Sequence, residues 1–303
     1  SSAAADVYKR QLLLDQFISL FEQYPALYLG TLFGFGALIG SFLNVVIYRL
    51  PVMMQREWRS ECLEFLEQSP EAEEEPFNLS VPRSRCGNCG HQISALQNVP
   101  ILSYLLLGGK CAGCKTKISA QYPLVELFTA LVSVVVGWHF GVSLQALAAL
   151  LLSWCLIAAS GIDIGHKLLP DSITLPLLWL GILLSLFDVF VSLQDSVLGV
   201  MVGYMSLWTV FILFKLVTGK EGMGYGDFKL LAMLGAWLGW QSLFVVILTS
   251  SLVGAIVGIS MILIKKTGRD TQIPFGPYLA AAGWMTLLWG DQIMRFYGNL
   301  LQF

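Results

Sequence analysis

Long apolar runs divide this chain, and they are too many and too long for a water-exposed globule. A helix needs roughly 20 apolar residues to cross about 30 Å of hydrocarbon. By that rule eight candidate spans lie near 26–47, 124–140, 143–162, 173–190, 197–217, 228–240, 242–264 and 276–293. The first, from Ala26 to Ile47, lacks a positively charged leading region and a cleavage pattern, so it is expected to stay in the membrane. Small residues one turn apart, Gly30/Gly34, Gly36/Gly40 and Gly254/Gly258, predict close approach of helix backbones. The sixth span is anomalous, with only fourteen residues from Asp227 to Trp240. As helix these reach roughly 21 Å, short of a full crossing. Asp227 is thereby expected at membrane depth, where an ionisable residue is costly and marks a functional site by default.

Charge placement orients these spans. Segments 48–123, 163–172, 215–229 and 265–275 hold fifteen of the eighteen Lys and Arg residues, so they are expected on the cytoplasmic side. The turns near 140–143, 190–196 and 240–242 carry no Lys or Arg. With eight spans both chain ends fall on the outer side, where Lys9, Arg10 and Arg295 run against the trend. The expected organisation is an N-terminal periplasmic or interfacial segment (1–25), a first transmembrane helix (26–47), a cytoplasmic domain (48–123) that its two Cys-x-x-Cys motifs, at 86–89 and 111–114, mark as zinc-binding, and a seven-helix membrane core (124–303). The expected fold class is therefore an all-α polytopic membrane protein of about eight transmembrane helices, with a small zinc-knuckle domain between the first and second.

Composition agrees, since 56% hydrophobic and 13% charged residues make lipid the main solvent. A formal net charge of -2 gives no general pull toward nucleic acid, and none is expected as a partner.

Within the polar segment, Cys86-Gly-Asn-Cys89 and Cys111-Ala-Gly-Cys114 form two Cys-x-x-Cys knuckles separated by twenty-one residues. Four thiolates so arranged suit a tetrahedral Zn²⁺ site. Such a closed site leaves no position open for water, so the metal is expected to be structural. A redox dithiol, an iron–sulfur site or no metal are the alternatives. Gly87, Gly90, Gly109 and Gly113 allow tight turns around the knuckles. Cys62 and Cys155 stand alone as packing residues, and His91 reads as a surface histidine or a substitute ligand. Upstream, eight glutamates between Glu57 and Glu75 form a solvated, partly disordered stretch or an acidic surface for a positively charged substrate segment.

Two aspartates meet the same expected boundary. The third span ends in Gly161-Ile162-Asp163-Ile164-Gly165-His166-Lys167-Leu168-Leu169-Pro170-Asp171, and the sixth begins at Gly222-Met223-Gly224-Tyr225-Gly226-Asp227-Phe228-Lys229. Peptide hydrolysis without a nucleophilic side chain needs one carboxylate to take a proton from water and a second, protonated, to donate one to the scissile amide. Two aspartates brought together supply this, because like charges cannot both ionise at close range. The alternatives are a helix N-cap for Asp227 and an interfacial residue for Asp163. Asp171 reads as a helix cap or a supporting residue, while His166, Lys167 and Lys229 anchor the boundary or tune the carboxylates. Asp188, Asp195 and Asp291 are expected on the opposite face.

Taken together, the motifs resemble the type IV prepilin leader peptidases. The resemblance is carried by Gly40-Ser41-Phe42-Leu43-Asn44-Val45-Val46 with Arg49-Leu50-Pro51, the paired knuckles, Tyr122-Pro123-Leu124-Val125-Glu126, Ile162-Asp163 through Pro170-Asp171, Gly224 through Lys229, and Pro274-Phe275-Gly276-Pro277. It spans nearly the whole chain in order. A Gly-x-Gly-Asp alone is also found in presenilin-like proteases, from which the knuckles point away. The resemblance implies a bacterial inner-membrane aspartic endopeptidase with Asp163 and Asp227 as its catalytic pair. It also implies prepilin or pseudopilin substrates with a basic leader and a hydrophobic N-terminal helix, cleaved after glycine at the cytoplasmic edge. A second reaction is implied as well: methylation of the new N-terminal residue, usually Phe, with S-adenosylmethionine as donor. The glycines at 222, 224 and 226 do not complete Gly-x-Gly-x-x-Gly, so the methyl-donor site rests on the resemblance alone. Two other classes fit membrane-depth aspartates: an ion or solute transporter, and a non-catalytic zinc-bearing assembly scaffold.

Overall fold

The computed structural model describes residues 15–16, 18–68, 76–265 and 274–301. Segment 1–14, the glutamates of 71–75 and residues 266–273 with Lys266 and Arg269 lie outside the described residues. Within them the chain is helical, with α1 at Pro25–Phe65, α2 at Leu102–Leu106, α3 at Gln121–Phe140, α4 at Leu144–His166 and α5 at Asp171–Ser185. There follow α6 at Leu193–Thr218, α7 at Tyr225–Leu238, α8 at Trp240–Lys265 and α9 at Gly276–Leu301. A helix occupies each of the eight apolar blocks. Among the described residues five of these helices, α1, α3, α4, α6 and α8, are long and apolar enough to cross a membrane, and α5 is a shorter apolar helix.

The first helix continues past its apolar run to Phe65, through Pro51. The continuation is rich in good helix formers, and Glu57, Glu61 and Glu64 recur along it at helical spacing, so the acidic stretch is ordered helix as far as Phe65. Cys62, expected to pack, is exposed there.

Two compact units are present, Ser1–Val46 with Ser69–Trp154 and Ile47–Gln68 with Cys155–Phe303. In the first unit Gly36 and Gly40 bring α1 against α3. A Cβ on Gly36 would meet Ser133 Oγ at 2.6 Å, and one on Gly40 would meet the Glu126 Cα at 2.6 Å. Gly30 and Gly34 face open space. Gly34 and Gly36 lie about 200° apart around a helix of 3.6 residues per turn, so only one of the two small pairs can face α3. Asn44 Nδ2 closes the contact by donating to the Tyr122 carbonyl at 3.0 Å.

In the second unit α7 is the central helix, packed against α5, α6, α8 and α9. Every residue from Leu230 to Leu238 on it is buried, as are Asp227 and Phe228. Its fourteen residues match the short sixth span, and Gly239, at φ +76°, ends it before α8 begins. The tightest approach is made by Gly199 and Gly203 of α6, a small-residue pair one turn apart that sequence inspection passed over. A Cβ at Gly199 would fall on the Gly235 carbonyl, and Ser196 Oγ donates to the Ala236 carbonyl at 2.8 Å one turn away. Because the obstacle is backbone, Gly199→Ala must push α6 from α7. Overpacking of this kind costs about 1–3 kcal/mol. A lower unfolding midpoint in detergent micelles is expected, and an unchanged midpoint would contradict this packing.

Candidate functional site: two buried aspartates and a four-cysteine cluster

Asp163 lies near the C-terminal end of α4, which stops at Lys167, where φ is +55°. The carboxylate is buried, and its Oδ2 accepts the backbone N–H of Gly276 at 3.0 Å. Gly276 is the first residue of the 26-residue α9, so the carboxylate sits at the positive end of a helix dipole as well as on an N–H. Any side chain at 276 would crowd this contact, since a Cβ there would meet Asp163 Oδ2 at 2.7 Å and Leu169 at 3.1 Å.

Asp227 stands in the first turn of α7 and is also buried. Gly224, not Asp227, is the N-cap, and the Asp227 side chain meets the Gly224 N–H from inside the first turn. The glycine before it has a packing reason: a Cβ on Gly226 would meet Leu169 Cβ at 2.7 Å. Leu169 thus wedges between Gly226 and Gly276, and the linker after α4 sets both aspartates at once.

Asp171 and Lys229 make an ion pair at 2.6 Å, with a second contact at 2.8 Å. It ties the first turn of α5 to the second turn of α7. Pro170 is the cap of α5, so Asp171 serves the ion pair and not the cap. Lys229 is two residues past Asp227 and therefore faces away from it on the helix. His166 and Lys167 are exposed. Asp195 is engaged elsewhere, accepting from Gln241 at 2.8 Å and Trp240 at 3.2 Å.

In the first unit the Sγ atoms of Cys86, Cys89, Cys111 and Cys114 all lie within 4.8 Å of one another and could hold a metal ion. The two knuckles share a backbone. Cys86 N–H bonds to the His91 carbonyl and Cys111 N–H to that of Thr116, each at 2.9 Å. The residue after each second cysteine takes positive φ, +71° at Gly90 and +60° at Lys115. Of the other glycines expected to serve these turns only Gly109 does so, at φ +67°. Thr116 Oγ1 lies 3.3 Å from Cys114 Sγ and the Asn88 amide 3.6 Å. The Thr116 hydroxyl and backbone N–H, with Asn88, pull the Cys114 thiol down to about 5. That holds a thiolate at neutral pH, the form that binds cations. His91 is exposed and not part of the cluster.

Motif inspection did not assign Gly276 its contact. It stood only inside Pro274-Phe275-Gly276-Pro277, and nothing local indicates that its N–H meets a carboxylate 113 positions earlier. Gly276→Ala tests the contact. The obstacle is a carboxylate end, which can turn away, so the fold should persist while the N–H···Oδ2 bond is lost. Hydrogen bonds to charged groups contribute about 1.5–3 kcal/mol, which corresponds to roughly 10- to 100-fold in rate. A turnover loss of up to that size is expected. Full activity would show that the contact is dispensable.

Fold and site together define a class: a polytopic membrane protein, helical throughout its membrane core among the described residues, with two buried aspartates and a four-cysteine cluster. Family profiles narrow it, one described as Bacterial Peptidase A24 N-terminal domain matching residues 35–140 and one described as Type IV leader peptidase family matching residues 150–259. The chain is 60% identical over 262 residues to a protein of Stutzerimonas stutzeri, covering 86% of this chain and 91% of that one. A Pseudomonas aeruginosa protein is also 60% identical over 262 residues, covering 86% and 90%, and an Aeromonas hydrophila protein is 56% identical over 281 residues, covering 92% and 97%. Each of the three is named prepilin leader peptidase/N-methyltransferase. No solved structure matches the chain significantly. The chain belongs to the type IV leader peptidase family.

Proposed function

We propose that the protein is an inner-membrane aspartic endopeptidase that removes the basic leader from type IV prepilins or type II secretion pseudopilins, and then N-methylates the residue exposed. Cleavage falls after glycine at the cytoplasmic face, ahead of a hydrophobic helix that usually starts with Phe. Asp163 and Asp227 are the catalytic pair. The observation that carries this reading is the burial of both carboxylates, neither of which has an ion-pair partner among the described residues.

Asp163 accepts the Gly276 N–H and Asp227 meets the Gly224 N–H at the start of its own helix, so each carboxylate is held by one backbone donor. The pair shares one proton, and in this reading Asp227 carries it. Asp163 takes a proton from water as the oxygen attacks the scissile carbonyl carbon. Asp227 gives its proton to the departing amide nitrogen as the C–N bond breaks, leaving a leader carboxylate and a free amine. S-adenosylmethionine supplies the methyl group that this amine accepts in the second reaction.

The metal is zinc in this reading. A Zn–S bond of about 2.3 Å in a tetrahedron sets sulfur atoms about 3.8 Å apart. Cys86 and Cys114 are separated by 3.8 Å and Cys89 and Cys111 by 4.0 Å. All four ligands come from protein, so the zinc organises the chain and takes no part in the chemistry.

The test mixes purified protein, a synthetic prepilin and isotopically labelled S-adenosylmethionine, and follows leader release and amine methylation separately. Both products are expected. Leader release without label transfer would remove the methyltransferase, and neither product would remove the whole reading.

A further inference from the structure

Residues 96–107, in the polar segment between α1 and α3, carry an apolar surface. Leu96, Leu102, Leu105 and Leu106 are 84%, 59%, 66% and 86% exposed. Single exposed leucines are ordinary, but four so close in sequence are not. Leu102, Leu105 and Leu106 follow i, i+3, i+4 spacing on α2, which puts them on one face.

What holds this turn decides what covers it. The Ile101 backbone N–H donates to Glu126 Oε2 at 2.7 Å. Glu126 is the sixth residue of α3, so its backbone lies roughly 7.5 Å along a helix that crosses the membrane. Around that level α3 exposes Tyr122, Leu124, Leu127 and Phe128. Ile101 adopts φ +62°, a left-handed value that a β-branched residue avoids. Such strain persists only where the surroundings over-determine it. The turn is therefore tied to the second turn of a membrane helix, beside the apolar side chains with which that helix meets lipid. Just beyond the leucines, Lys110 and Lys117 are bridged to each other and exposed, with Lys115 exposed between them. A basic rim on an apolar face is the composition of an interfacial anchor on anionic lipid.

We propose that residues 96–107 are a membrane-interface anchor, which lays Leu102, Leu105 and Leu106 into the boundary of headgroups and acyl chains beside α3 and so seats the four-cysteine cluster on the bilayer surface. The segment between α1 and α3 then rides on the membrane instead of hanging in solvent. The anchor does not depend on the peptidase reading, only on α3 as a membrane helix.

Photoreactive p-benzoylphenylalanine is placed singly at Leu102, Leu105 or Leu106, and for comparison at Glu61, exposed on the acidic continuation of α1, in the full chain in phosphatidylethanolamine/phosphatidylglycerol vesicles. After irradiation, mass spectrometry should find several-fold more phospholipid adduct at the three leucine positions than at Glu61. Equal yields, or adducts at the leucines to a second protein chain only, would overturn the proposal. The unmodified chain gives an independent measurement by hydroxyl-radical footprinting in the same vesicles. Corrected for intrinsic reactivity, oxidation of these leucines should be several-fold slower than that of exposed His91, and parity would overturn the anchor as well.

Discussion

Asp163→Asn and Asp227→Asn should each lower leader release by roughly a hundred- to ten-thousand-fold, the range that a positioned proton-transfer group contributes. Asn keeps the shape of Asp, and at position 163 its amide oxygen can still accept the Gly276 N–H, so α9 should stay where it is. What is lost is the ability to take up or release a proton at that point. On the proposed mechanism the two carboxylates act as one unit through a shared proton, and the double variant should then be hardly worse than either single one. Prepilin conversion in proteoliposomes, read by gel shift, measures this. Near-normal processing by a single variant would remove that residue from the pair, and a double variant with multiplied losses would show independent roles. The transporter and scaffold alternatives make the opposite forecast, since neither needs either carboxylate for leader release.

Cys86→Ser with Cys111→Ser should release the metal and unfold the segment from residue 76 to 120. The physical reason lies in burial: within those residues Cys111 alone is buried, so the segment has no apolar core of its own. Domains of this size without a core depend on metals or disulfides, and structural zinc contributes an apparent 10–16 kcal/mol or so in small zinc-binding peptides. Two thiolates cannot retain that. Elemental analysis should fall from about one metal per chain to none, consistent with one closed four-ligand site. Limited proteolysis should newly cut within 76–120. A metal-free protein resisting proteolysis there would refute a structural metal. The exposed Cys62 lies outside the cluster, so Cys62→Ser should leave metal content unchanged.

Both aspartates could be picked out from the chain because their signals are local. A carboxylate at the end of an apolar run is visible in a few residues, and the short run after Asp227 follows from counting. The four cysteines are equally local, since knuckle spacing is a property of each hairpin. The Asp171–Lys229 pair was harder to see, because each charge has its own bland explanation at a membrane boundary and the partners stand 58 residues apart. Gly199 and Gly203 were passed over although they have the same spacing as Gly36 and Gly40. Spacing shows that two glycines share a face, and only packing shows which face meets a neighbour. The leucines of 96–107 were masked by the polar composition of their segment as a whole.

Sequence by itself determined that the chain lives in lipid, where the helices fall, which thiolates could gather a metal and which two aspartates merit attention. These follow from hydrophobic length, ligand spacing and the cost of charge in hydrocarbon, all of which act over short stretches of chain. Tertiary structure alone decided that α7 is buried on every side, that Leu169 sets both aspartates against glycines, and that the N–H of Gly276 holds Asp163. Those depend on segments up to 113 residues apart meeting at one point, and the free energy that selects the meeting is spread over the packing of whole helices.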